Sequence, residues 1–83
     1  MESQINSQIV ELRQMFQDNA GFDAVIPTVE FDGDAIEITV DHVAFGFADM
    51  EDMTFEIEEL ADCVGADIIA VNVVGTIATF ILS

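Results

Sequence analysis

Arg13 is the only basic side chain in a chain that carries seventeen Asp and Glu, so the formal charge is −16. Acids in this excess have almost no basic relief, and they make the compact state repel itself. Whatever holds the fold together must therefore be apolar, and 52 % of the residues are hydrophobic. Acidic disordered tails are poor in apolar residues, and this chain is rich in them. Eighty-three residues make one small domain. A domain of this size buries about 60–65 % of its unfolded surface, so its core has to be efficient. The expectation is an ordered apolar core under an acidic coat. The reason for the coat lies outside the fold, in a very salty environment or a strongly basic partner.

The single Cys63 cannot close an intramolecular disulfide, so no oxidising compartment is implied. Met1-Glu2-Ser3-Gln4 lacks the positive region and apolar run of a signal peptide. The longest apolar stretch, Ile68 to Leu82, is interrupted by Asn72, Gly75, Thr76 and Thr79 and is too short to span a bilayer. Anionic lipid would repel the coat. These features lead to the expectation of a soluble cytoplasmic protein, in the host-cell cytoplasm if it is phage-encoded.

Ile5, Ile9, Leu12 and Phe16 recur at i, i+4, i+7 and i+11, one face of a helix from about Ser3 to Asp18. Ser3 is the expected N-cap and Asn19 to Gly21 the stop, with Val10 off the apolar face. Asp32-Gly33 then reads as a two-residue type I′ turn. Pairing Phe31 with Asp34 sets Val29 opposite Ile36, Pro27 opposite Ile38 and Val25 opposite Val40, on one buried face. The other face carries Glu30, Thr28 and Ile26 against Ala35, Glu37 and Thr39, with Asp41 beyond. A one-residue slip would bury the acids, so the pattern fixes the register. Pro27 cannot donate to a ladder, which marks Val25–Phe31 as an edge strand.

In His42–Ala48, Val43, Phe45 and Phe47 alternate with small residues; the segment either extends the second strand or packs as a loop. Asp49, with Asp52 three residues on, caps a second helix. Met50, Met53, Ile57, Leu60, Ala61 and Val64 share its apolar face, and Gly65 is the C-cap. A second hairpin joins Ile68–Val74 to Ile77–Leu82 at Gly75-Thr76, with Ile69, Val71 and Val73 facing Ala78, Phe80 and Leu82. Its back face carries Ile68, Ala70, Asn72, Ile77, Thr79 and Ile81. The order αββαββ gives an α+β fold: a four-stranded, mostly antiparallel sheet with two helices on one face. Gly21 and Gly65 are each followed by x-Asp (Asp23, Asp67) and a hairpin. Segments 1–41 and 49–83 are thus either an αββ duplication or two helix–hairpin units alike by chance.

The acids cluster. Asp49, Glu51, Asp52, Glu56, Glu58, Glu59, Asp62 and Asp67 crowd the second helix and its flanks. Glu51, Glu58 and Asp62 form a stripe opposite the buried face, flanked by Asp52, Glu56 and Glu59. Like charges at i, i+3 and i+4 destabilise a helix by a few tenths of a kcal/mol each, so stacking them points to selection for the charge itself. Phe55 lies inside the stripe, where an exposed aromatic ringed by charge reads as a binding anchor. The alternation Met53–Phe55–Ile57 also fits a strand. A second group lies on the first hairpin, with Glu30, Glu37 and Asp41 on the outer face and Asp32 and Asp34 at the tip.

Catalytic patterns are missing. His42 and Cys63 stand alone, with no Gly-rich phosphate loop and no paired Cys ligands. His42 is read as structurally satisfied, and nothing near Cys63 in sequence lowers its pKa. Carboxylates in such surplus say little about acid–base chemistry. Asp32-Gly33-Asp34 with Glu30 offers weak ligands for a hard cation, lacks the EF-hand spacing and reads as a turn. The expectation is a protein that is not an enzyme and uses no cofactor.

Residues two apart on a strand are about 6.6 Å apart, and residues four apart on a helix rise about 6 Å. Both are near the phosphate spacing along one nucleic-acid strand, of order 6–7 Å. Carboxylates so arrayed can present a phosphate-like pattern to a basic groove, where bidentate Arg–carboxylate pairing is strong. In size, charge and lack of catalytic motifs the chain resembles the acidic inhibitors of phage and mobile elements. These are the anti-CRISPR proteins, the anti-restriction proteins and the inhibitors of uracil-DNA glycosylase. The likeness is one of character and rests on no shared motif, so no residue roles come with it. It implies a DNA mimic that blocks the groove of a CRISPR effector, restriction enzyme or repair enzyme. Two rivals stand beside it: an antitoxin or chaperone-like module for a basic partner, and a halophilic structural domain. The expected partner is a basic nucleic-acid-binding protein, with neither nucleic acid nor membrane bound directly. Ile68, Ile77 and Ile81 also leave open a homodimer through the second hairpin.

Overall fold

The computed structural model describes residues 2–21 and 25–83, with the side chains of residues 2–5 and of Asp32 outside the description. The expectations for Ile5 and Asp23 and for the Ser3 and Asp32 side chains lie outside the described residues. The chain forms α1 (Glu2–Asn19), β1 (Thr28–Asp32), β2 (Ala35–Asp41), α2 (His42–Phe45), α3 (Met50–Cys63), β3 (Ile68–Val74) and β4 (Ile77–Leu82). The strands make one antiparallel sheet in the order β1-β2-β4-β3. The α+β architecture and the αββαββ order are as expected, with one extra helical turn between β2 and α3. No helix is long and apolar enough to cross a membrane among the described residues.

The core lies between the helices and one sheet face. Ile9, Leu12 and Phe16 of α1 and Met53, Ile57, Leu60 and Ala61 of α3 pack over Val29, Ile36, Ile38, Val40, Ala78, Phe80 and Leu82. Val10 is exposed. Helix α1 begins before Ser3, so that residue lies inside the helix rather than at its cap. The Gln8 side-chain amide donates to the Val64 carbonyl at 2.8 Å and ties α1 to the end of α3.

Both hairpins turn on glycine. In the first, Asp32 pairs with Ala35 and Phe31 with Ile36, so the turn is Gly33-Asp34 and not Asp32-Gly33. A type I′ turn would hold Asp32 at positive φ. The observed turn puts only Gly33 there, at +63°, as type II′ turns do. The register moves by two, so the faces keep their identity: Pro27, Val29, Ile36, Ile38 and Val40 are buried as expected. Val25 is an exception. It precedes the strand, is exposed, and donates its N–H to Ala44 O at 3.0 Å. The second hairpin turns at Gly75-Thr76 as expected. A bulge between Ile68 and Ala70 then sets Ile68, rather than Ile69, opposite Leu82. Ile68 therefore turns to the core side and leaves the open back face to Ala70, Asn72, Ile77, Thr79 and Ile81.

His42–Ala48 is neither a strand extension nor an open loop. The Asp41 carboxylate accepts from Val43 N–H and Ala44 N–H at 3.1 and 3.2 Å and starts the single turn of α2. Gly46, at φ +104°, ends it with bonds back to His42 and Val43. The turn drives Phe45 into the core, where it meets Phe16 edge-on at a centroid distance of 6.0 Å. Helix α3 starts as expected, with Asp49 Oδ1 accepting from Asp52 N–H at 2.9 Å. It closes in a Schellman motif, with Gly65 N–H bonded to Asp62 O and Ala66 N–H to Ala61 O.

The caps separate two effects of charge. Asp49→Ala removes one carboxylate from a repelling surface but also an N-cap worth about 1 kcal/mol. We expect it to lower stability by about that amount in urea denaturation, with Asp62→Asn, at the negative end of the same helix, neutral or stabilising. If Asp49→Ala stabilises the fold, repulsion outweighs capping.

Candidate functional site

Arg13 projects from α1 to the rim of the sheet. Its Nε and Nη2 both donate to the Val29 carbonyl, at 3.1 and 2.6 Å. The one cation thus serves a backbone oxygen at the sheet edge. Sequence reasoning counted Arg13 as a deficit and missed this role, since nothing local in the sequence pairs it with β1.

Helix α3 settles the placement of Phe55. It lies on the outer face of a helix, 61 % exposed, and the strand reading of Met53–Ile57 does not hold. Glu51 and Asp52 lie one turn before it and Glu58 and Glu59 one turn after it, all exposed. Glu56 is half-buried and Asp62 exposed. The Schellman turn folds the chain back after α3 and brings Asp67 to the helix's last turns. Glu58, Glu59, Asp62 and Asp67 surround an open depression of about 440 Å3 with Ala61, Ala66 and Ile68 as its apolar lining. The acidic residues at the end of α3 face the negative end of the helix dipole, an unfavourable placement.

The hairpin acids lie on the opposite side. Helices cover one face of the sheet, and Glu30, Glu37 and Asp41 belong to the other. The two acidic groups therefore do not form one surface; they occupy the two broad faces of a slab with principal extents of 35 × 25 × 17 Å. Asp34 is exposed at the tip beside Asp32. The observed register sets Glu30 directly opposite Glu37. Cross-strand neighbours have Cβ atoms about 4.5–5.5 Å apart, and like charges there are destabilising. Sequence reasoning missed this pair because its register placed Ala35 across from Glu30.

The open face is also divided. Glu37 neighbours Ile81 and Asp41 neighbours Ile77 on β4, and Ala70 and Val74 follow on β3. A polar row of Thr28, Thr39, Thr79 and Asn72 runs across all strands. Half of the face is acidic and half is apolar. On β3 the helix-side face is exposed as well: Val71 and Val73, which pair with Phe80 and Ala78, are each 48 % exposed, and Ile69 at the bulge is 62 % exposed.

His42 Nδ1 lies 3.4 Å from Phe47 O, and Cys63 is free and exposed. Among the described residues no group of three or more His, Cys, Asp or Glu is arranged to hold a metal ion. Comparison with protein-family models, curated proteins and solved structures finds no match to this chain.

The Glu30–Glu37 pair yields a direct test of its cost. Glu30→Lys replaces a like-charge pair by an opposite-charge one and is expected to raise stability by roughly 0.5–1 kcal/mol. Thermal or urea denaturation reads the change. An unchanged or lowered midpoint means that the two carboxylates do not repel in the folded state.

Proposed function

We propose that this protein is a non-enzymatic inhibitor that mimics nucleic acid and occupies the basic groove of a nucleic-acid-binding protein. Phage and mobile elements use inhibitors of this kind against CRISPR effectors and restriction enzymes. One observation carries the reading. The only cation is engaged at the Val29 carbonyl, and the carboxylates of α3 face solvent around an exposed aromatic side chain. Asp52, Glu56 and Glu59, and likewise Glu58 and Asp62, step along α3 at rises of about 4.5–6 Å. That is close to the phosphate spacing a nucleic-acid groove is built to receive. Steering by the summed charge speeds association, and Phe55 supplies an apolar anchor in the middle of the acidic field.

The two acidic groups point in opposite directions, so a single groove meets one of them. The α3 face is the denser and the one with an anchor, and it is the proposed contact. The hairpin acids then contribute to the long-range field.

The test is capture of partners from lysate followed by competition. The captured protein is expected to release the inhibitor when excess DNA or RNA is added and when salt is raised. Reversing Glu51, Glu58 and Asp62 to Lys is expected to abolish binding with the circular dichroism unchanged, whereas Glu30→Lys retains it. Capture that withstands saturating nucleic acid and the triple reversal overturns the mimic. Salt-resistant binding of that kind is what an antitoxin-like apolar contact would give.

A further inference from the structure

The sheet has two edges, and they are built differently. Counting alternate pairs from the turn-closing Asp32–Ala35 pair, Val29 and Phe31 turn their backbone groups away from β2. Pro27 has no N–H to offer, and the Val29 carbonyl is taken by Arg13. Glu30 and Asp34 add charge along that rim. Folded proteins blunt sheet edges by such means.

The β3 edge has none of them. The same count from the turn-closing Val74–Ile77 pair turns the N–H and C=O groups of Val71 and Val73 outward. Ile68 to Leu82 contains no charge and no proline. Ile69 to Val74 is exposed, and among the described residues no element pairs with this edge. A long, apolar, unpaired edge is a template for another strand.

We infer that two copies of this chain pair through β3, antiparallel about a two-fold axis beside Asn72, to form a continuous eight-stranded sheet. The register follows from the outward groups. An axis at Asn72 sets Val71 opposite Val73 of the other copy, and these are the residues whose N–H and C=O groups are free to bond. On the helix side the Val71 and Val73 side chains of both copies come together. On the open face Asn72 meets its own copy, amide to amide, and Ala70 meets Val74. An axis at Val71 would draw the bulge at Ile69 into the ladder, and one at Val73 would run into the Gly75-Thr76 turn.

Charge selects the second copy over a basic strand. Between Ile68 and Leu82 there is no carboxylate for a cation to meet. In the proposed register the two Asp67 residues lie ten positions apart along the paired strands (67 against 77), about 33 Å. That is well beyond a Debye length of about 8 Å. The assembly also closes. Once both β3 edges are joined, only the two β1 edges remain, and Pro27 and Arg13 guard them, so growth stops at two copies.

Strand-edge contacts are small, so the expected behaviour is a monomer–dimer equilibrium in the micromolar range rather than a permanent dimer. Light scattering after size exclusion, from about 10 μM to about 1 mM, reads it. The dimer fraction is expected to rise with salt, because salt screens two like-charged copies. Binding of a basic partner weakens with salt, so failure of the dimer and failure of the inhibitor reading are distinguishable. Val73→Pro removes one outward N–H and leaves the β4 ladder intact; it is expected to be monomeric where the unmodified chain is dimeric. Val71→Lys serves the same purpose through charge, and Val10→Lys on the outside of α1 should leave the dimer unchanged. Amide exchange at Val71 and Val73 is expected to slow as concentration rises. A monomer at about 1 mM overturns the inference. So does a dimer unaffected by both β3 variants, or exchange at these two amides that is independent of concentration.

Discussion

With one cation against seventeen acids, this fold has no means of holding itself together by ion pairs, and its construction follows from that restriction. The described core contains no buried polar or charged side chain, and no buried side-chain nitrogen or oxygen is left without a partner among the described residues. Helix ends show the same economy. Carboxylates are suited to N-termini, where the dipole favours them, and Asp41 and Asp49 start α2 and α3 in that way. Helix C-termini favour cations, and neither α1 nor α3 has a basic residue in its last turn. Helices α2 and α3 are instead closed through glycine, with Gly46 and Gly65 in the left-handed region and the last carbonyls bonded by backbone N–H groups. Backbone chemistry takes the place that lysine and arginine fill elsewhere.

Much of this was legible in the sequence because the signals were local and periodic. The spacing of Ile9, Leu12 and Phe16, the alternation from Val29 to Val40, the Asp49 cap and the Gly75-Thr76 turn each arise within a few residues. What was not legible needed information from further away or a choice between near-equal local options. Asp32-Gly33 and Gly33-Asp34 both fit two-residue turns, and the difference is which residue must take positive φ. The Ile69 bulge has no signature in a run of apolar residues, so Ile68 was assigned to the wrong face. Helix α2 depends on a carboxylate at the end of a strand capping the next residues, in a segment whose alternation resembles a strand. The site divides in the same way. That α3 would present its acids and Phe55 outward was readable from a helical wheel. That the hairpin acids would lie on the opposite broad face, and that Arg13 would reach Val29, required the packing of α1 on the sheet.

The distribution of charge over the finished surface is more informative than its sum. Acids occupy the outside of α3 and the β1–β2 half of the open sheet face, and the β3–β4 half is bare of them. A requirement for solubility alone, or for a hydrated coat in brine, has no reason to leave the uncharged, largely apolar run Ile69–Val74 exposed on an edge strand. Segregation of this kind divides the surface into regions suited to different contacts. The uncharged edge suits self-association through backbone bonds and valine side chains, and the acidic faces suit a cationic partner. Two copies joined at β3 would also keep their helices on the same side of the continuous sheet. The acidic field of each α3 would then be doubled on one face.

Several of the acids are where stability would not put them. Glu30 faces Glu37 across two strands, and Glu59 and Asp62 stand at the negative end of α3. Each placement is unfavourable by some tenths of a kcal/mol, and each would be relieved by one neutral or basic substitution. In a domain whose net stability is only about 0.05–0.15 kcal/mol per residue, retaining them together is a substantial burden. Folding derives no benefit from these carboxylates, unlike Asp41 and Asp49, which cap helices. Their positions are best accounted for by a contact made outside the fold, and the density of carboxylates around Phe55 makes α3 the face on which that contact is proposed.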